Sequence, residues 1–148
     1  MDRRSFLQSL GGAAVVGSAT ALAGCPTGNA AAGSHDVGMT TRKFQPASIT
    51  VPPGYTVVWK NTSSHAHTVT TSEGQLPDGA EFWSSGDFDS QAEAESGWTD
   101  GLEGGLSQGE TYERAFEVVG THNYYCIPHE ASGMRGRVVV SEGATTPE

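Results

Sequence analysis

Within ten residues, Tyr125-Cys126-Ile127-Pro128-His129-Glu130-Ala131-Ser132-Gly133-Met134, the chain sets a thiolate, an imidazole and a thioether on one short segment. Pro128 and Gly133 supply the sharp backbone turns that fold the three side chains inward. Cysteine and methionine are soft sulfur ligands and imidazole is intermediate, a set that favours copper over metals preferring hard oxygen. A second imidazole would complete a near-trigonal plane of two nitrogens and a sulfur with a weak axial thioether, the donor set of a blue-copper electron-transfer site. Ser64-His65-Ala66-His67-Thr68-Val69, about sixty residues upstream, offers two candidates. His65 and His67 share a strand face about 6–7 Å apart, too far to be equally placed ligands.

Other chemistry fits the loop less well. A Cys-His nucleophile would need an open cleft and an oriented base, and would gain nothing from Met134. Zinc accepts Cys and His but is poorly served by a thioether. A copper storage or delivery module is the alternative inside the copper class, although delivery calls for exposed, exchangeable ligands rather than a constrained loop. His122 shares strand parity with Cys126 but sits roughly 13 Å away along an extended chain, so it reads as a surface or core-margin residue. His35 falls in a linker.

The elements that must position these groups are short β-branched and aromatic runs. Phe44-Gln45-Pro46 and Ile49-Thr50-Val51 read as strand pieces, Pro52-Pro53-Gly54 as a turn and Tyr55 to Lys60 as an alternating strand. The run His65 to Thr71 follows a polar connection, and Gly109 to Val118 is a strand with Tyr112, Arg114, Phe116 and Val118 on one parity. Thr121 to Cys126 and Arg135 to Val140 complete the set, and strands at this spacing predict an all-β sandwich over residues 37–142. Residues 72–108 differ from both flanks, with nine acids, no Lys or Arg, and yet Phe82, Trp83, Phe88, Trp98, Leu102 and Leu106. That apolar content predicts an ordered acidic insertion packed over one edge, with a helical turn around Ser90 to Ser96.

Both ends lie outside this domain. Residues 1–24 have the charged start and short Gly/Ala-rich apolar stretch of an export signal, and Arg3-Arg4-Ser5-Phe6-Leu7-Gln8 resembles the twin-arginine export motif. Leu22-Ala23-Gly24-Cys25 resembles a lipobox, which implies cleavage before Cys25 and a lipid on its sulfur. Residues 25–36 then form a flexible, lipid-anchored linker with a reach of roughly 18 Å, and residues 143–148 a disordered tail. This implies a peripheral protein on the extracytoplasmic face of the cell membrane.

The full chain carries a formal net charge of −9, and removal of residues 1–24 leaves six bases against sixteen acids, a net −10. With eight Lys and Arg in all and no basic stripe, nucleic acid is excluded as a partner. Such acidity suits a high-salt habitat or a basic partner. Cys25 and Cys126 are too few for a disulfide framework, and each has a separate use.

Tyr125-Cys126-x-Pro128-His129-x-x-x-Gly133-Met134-x-Gly136, with Phe44-x-Pro46, Pro53-Gly54 and His67-Thr68-Val69, resembles the cupredoxins, within them the plastocyanin-like branch that includes the lipid-anchored halocyanins of halophilic archaea. The resemblance implies a Greek-key β-sandwich holding one type 1 copper ion at one end, with His67, Cys126, His129 and Met134 as ligands. It implies an electron carrier rather than an enzyme, a monomer shuttling one electron between membrane-bound redox proteins. His129 would be the main electron route, framed by Ile127, Pro128 and Ala131, and Tyr125 a second. The family often places Asn directly after its first ligand; here Thr68 stands there, and its hydroxyl would have to replace the Asn bond.

Overall fold

The computed structural model describes residues 34–147. The export signal, Cys25 and most of the expected linker lie outside the described residues. Eight strands form two four-stranded mixed sheets. Their spans are β1 Val37–Met39, β2 Phe44–Gln45, β3 Ser48–Val51, β4 Tyr55–Asn61, β5 Thr70–Thr71, β6 Thr111–Phe116, β7 Gly120–Tyr125 and β8 Arg135–Val140. One sheet runs β2-β1-β4-β6 and the other β3-β8-β7-β5. The pairs β1/β4 and β3/β8 are parallel and the remaining neighbours antiparallel.

Alternation fixes which faces meet. Along β4, Tyr55, Val57, Trp59 and Asn61 share the inner face, and their partners Phe116, Arg114 and Tyr112 on β6 carry the same parity. Opposite them stand Ile49, Val51, Tyr124, Val138 and Val140 from the second sheet. Trp59 is fully buried at the centre, with ring centroids 5.6 Å from Trp83, 5.6 Å from Tyr112 and 5.4 Å from Tyr124. Arg114, a charged residue on an inner parity, lays its guanidinium 5.6 Å from the Trp83 ring, which lets it stay charged beside an apolar core.

Residues 72–108 carry a full helix, α1, over Gln91–Gly101, longer than the turn expected around Ser90 to Ser96. Ser90 caps it, its hydroxyl accepting from Glu93 N at 3.2 Å, and Leu102 closes it in the left-handed region. Phe88 explains its placement. A Cβ at Gly97 would sit 2.5 Å from the Phe88 ring and one at Gly104 3.2 Å from it, so these bare backbones form a cradle that no larger residue leaves open. Trp83, by contrast, enters the main core, and Thr71 N donates to its carbonyl at 3.1 Å.

The run His65 to Thr71 is strand only at Thr70–Thr71; its first part is held instead by a bridge between His67 and Leu106. Asp36, placed in the linker by composition, is tied to the domain: its carboxylate accepts from Tyr55 Oη at 2.7 Å and Val58 N at 2.8 Å. After β8 the chain turns at Ala144, and Thr145, Thr146 and Pro147 meet Ile49 and Thr50 of β3 around a shallow cavity.

Candidate metal centre

The loop from β7 to β8 is closed by its own backbone. Cys126 N donates to Met134 O at 3.1 Å, Met134 N to His129 O at 3.2 Å and His129 N to Cys126 O at 3.2 Å. A 3-10 turn over Ile127–Ser132 starts with Pro128 in its first turn and ends at Gly133, whose φ of 82° favours glycine. These bonds hold Cys126, His129 and Met134 on one closed loop. Cys126 and Met134 are fully buried, while His129 keeps a partly exposed edge.

The other side is the 61–68 segment. Asn61 extends the inner face of β4 as a fully buried polar residue; its amide donates to His65 O at 2.6 Å and Leu106 O at 2.8 Å. Its Oδ1 accepts from Ser63 N at 2.8 Å. The Ser63 hydroxyl lies 2.9 Å from His67 Nε2, so the opposite ring nitrogen, Nδ1, is the one presented to Cys126. Sequence reasoning passed over Asn61 and Ser63. The signal was there: Asn61 is a polar residue on the parity where Tyr55, Val57 and Trp59 fill the core.

Thr68 joins the two halves. Its Oγ1 accepts from Ile127 N at 2.8 Å, and its own N–H points at Cys126 Sγ at 3.4 Å. The hydroxyl therefore makes a tie between the two ligand segments of the kind the Asn comparison called for.

Cys126 Sγ is 3.6 Å from His67 Nδ1 and 3.5 Å from His129 Nδ1, and the three ligand atoms lie within 4.8 Å of one another. A metal bonded to sulfur at about 2.3 Å and to nitrogen at about 2.0 Å with trigonal angles spans roughly 3.7 Å between them, so this trio fits an ion at its centre. Among the described residues it is the one His, Cys and carboxylate group so gathered. His65 stands outside it, exposed, with its ring 6.2 Å from that of His129. His122 is a buried core-margin residue whose Nε2 meets Val118 O at 2.8 Å.

Electrostatics prepare the trio. Burial, the neighbouring His129 and then His65 push His67 down to about 4, and burial, His65 and Arg42 lower His129. Both imidazoles are therefore neutral at neutral pH, the form that ligates. Burial raises the Cys126 thiol, so metal binding must release its proton.

Residues 31–141 match the family described as copper binding proteins, plastocyanin/azurin family. The chain belongs to this family. It is 33% identical to plastocyanin A/B of Petroselinum crispum over 109 residues, covering 74% of this chain and 95% of that one. With plastocyanin of Scenedesmus fuscus it shares 35% identity over 97 residues, 66% of this chain and 85% of the relative. In three dimensions it is similar to an oxidised variant of amicyanin, with a TM-score of 0.53 and 25% identity over 76% of this chain and 87% of the other. The two mixed sheets are thus a cupredoxin sandwich. As a plastocyanin/azurin-family protein the chain is a blue copper electron carrier, and His67, Cys126 and His129 belong to a single type 1 copper site.

Tyr125, the second electron route implied by the resemblance, is 1% exposed. Its hydroxyl donates to Glu95 Oε1 at 2.6 Å and accepts from Gln91 Nε2 at 3.0 Å, so α1 covers it.

Proposed function

We propose that this protein carries single electrons between membrane-associated redox proteins on the extracytoplasmic face of the cell membrane, held there by lipid on Cys25 and its linker, in the manner of the halocyanins. The observation that carries the electron-transfer reading is the Cys126–His67–His129 triangle with sides of 3.5–3.6 Å to sulfur, framed by hydrogen bonds of Ser63, Thr68 and the loop backbone. Bound copper supplies a one-electron Cu(I)/Cu(II) couple. Met134, fully buried and backbone-bonded to both Cys126 and His129, would be the fourth residue to hold the ion.

The protein's own part is to hold the donors still. Ser63 orients His67, Thr68 ties the two segments, and the loop's backbone bonds fix His129, so little rearranges when charge changes. Burial of Cys126 and His67 also argues against a storage or delivery role, which needs ligands open to exchange. Electrons pass by the partly exposed His129 edge, amid Ile127, Pro128 and Ala131. Tyr125, sealed under α1, offers no comparable edge.

Voltammetry of the copper-loaded protein tests this reading. A reversible one-electron wave with copper retained against a chelator is expected; copper that exchanges freely and shows no reversible wave would overturn it.

A further inference from the structure

We propose that the copper end of this otherwise acidic domain is a cationic docking face, fitted to a redox protein that presents carboxylates around its own electron port. The proposal rests on the electron-carrier reading above and adds the sign of the partner's charge. Net charge alone points the other way, towards a basic partner.

Strand register shows where the bases are. β1 and β4 run parallel and end together at Met39 and Asn61. The next turn, in which Thr40 N donates to Lys43 O, therefore lies beside the His65–His67 segment that Asn61 holds. That turn carries Arg42 and Lys43, and β4 places Lys60 one residue before Asn61. On the other sheet Arg135 directly follows Met134, and Arg137 lies two residues further along β8.

These are five of the six bases beyond residue 24, and Arg42, Lys43, Arg135 and Arg137 are exposed. Three acids lie at the same level, Glu110, Glu130 and Glu95 of α1, whose carboxylate accepts from Tyr125 beside Arg135, and all three are engaged. Glu110 accepts from Ser107 N at 2.6 Å and Glu130 pairs with Arg135 at 2.8 Å. The copper end thus carries +2, and the rest of the chain beyond residue 24, thirteen acids and Arg114, carries −12.

Location decides which of these charges a partner feels. At 0.1 M ionic strength the Debye length is about 10 Å, so acids across the domain are screened while charges framing His129 are not. An encounter at the His129 edge is therefore steered by the local positive charge. The apolar Ile127, Pro128 and Ala131 at its centre suit the small contact of a transient redox pair.

Two inorganic oxidants of opposite charge test the sign. Reduced, copper-loaded protein gives one electron to anionic hexacyanoferrate(III), forming hexacyanoferrate(II), or to cationic tris(phenanthroline)cobalt(III), forming cobalt(II). We expect the hexacyanoferrate rate to fall as salt rises, and to drop by roughly 10-fold or more when Arg42→Glu and Lys43→Glu reverse the patch. The cobalt rate should rise in that double variant. Glu142→Lys, beyond the opposite end of β8, moves net charge by two units against four in the double variant, and should leave both rates nearly unchanged.

A hexacyanoferrate rate that increases with salt, as the net −10 requires, would overturn the proposal even if the double variant failed to fold. So would a Glu142→Lys effect as large as that of the double variant. Binding of the Cys25→Ser protein to phosphatidylserine vesicles that is lost in the double variant would reassign the patch to the membrane surface and overturn the protein-partner assignment. Absence of a blue band from the copper-loaded protein would instead overturn the electron-carrier reading beneath it.

Discussion

The Ser63 hydroxyl, 2.9 Å from His67 Nε2, decides which nitrogen of that ring faces Cys126. The hydroxyl is itself fixed, 3.0 Å from Asn61 Oδ1, and Asn61 also grips Leu106 O, so one buried amide aligns three segments behind a ligand. Ser63→Ala should keep the fold but weaken copper retention by roughly 10–100-fold, the usual effect of removing such a partner, and alter the potential. Chelator competition and voltammetry read both. Unchanged affinity and potential would show that the bond does not position His67.

Met134 is the proposed fourth donor, and the distance of such a thioether to the ion tunes the couple. Met134→Gln is expected to retain copper and shift the reduction potential, measured by voltammetry on the two proteins side by side. An identical potential would remove Met134 from the axial position.

His122 connects packing to pH. Burial foremost, and the Arg114 charge, hold its imidazole below the ordinary value of about 6.5, against an opposing pull from Val118 O. The folded state therefore resists protonation that the unfolded chain accepts. Stability is full above about pH 6.5 and declines as pH falls towards the lowered folded value. Glu81 and Glu117 border the same cavity as Arg114 but leave His122 Nδ1 without a partner. Copper-loaded protein, in which the ligand imidazoles cannot titrate freely, should melt at lower temperature at pH 5 than at pH 7, and His122→Gln should shrink that difference. Equal differences in the two proteins would clear His122 of the effect.

Gly97 tests the account of α1. Because its Cβ position lies 2.5 Å from the Phe88 ring, Gly97→Val should cost about 1–3 kcal/mol by overpacking. Thermal melting should show the loss while the copper spectrum stays unchanged. A melting temperature equal to that of the unmodified protein would mean that Phe88 can leave its cradle freely.

The ligand loop and most strands were legible because they are local. Cys126, His129 and Met134 sit on one turn, and the β4, β7 and β8 runs announce themselves by alternation. The features that were not legible depend on contacts far apart in the chain. In α1, Ala92 to Glu95 are good formers and announce a turn, but Ser96, Gly97 and Gly101 are poor ones; packing of the Phe88 ring against Gly97 and Gly104 carries the helix on to Gly101. Nothing local to Tyr125 showed that Glu95, thirty residues earlier, holds its hydroxyl. The bases at the copper end are scattered from Arg42 to Arg137, and only the parallel pairings β1/β4 and β3/β8 bring them together.

The central claim is that Cys126, His67 and His129 hold one type 1 copper. The most direct measurement is the visible spectrum of the copper-loaded, oxidised protein beside its Cys126→Ser variant. An intense blue band near one copper per chain, bleached on reduction and missing from the variant, is the expected result; a colourless copper-loaded protein, or a band that survives loss of the thiolate, would contradict the account.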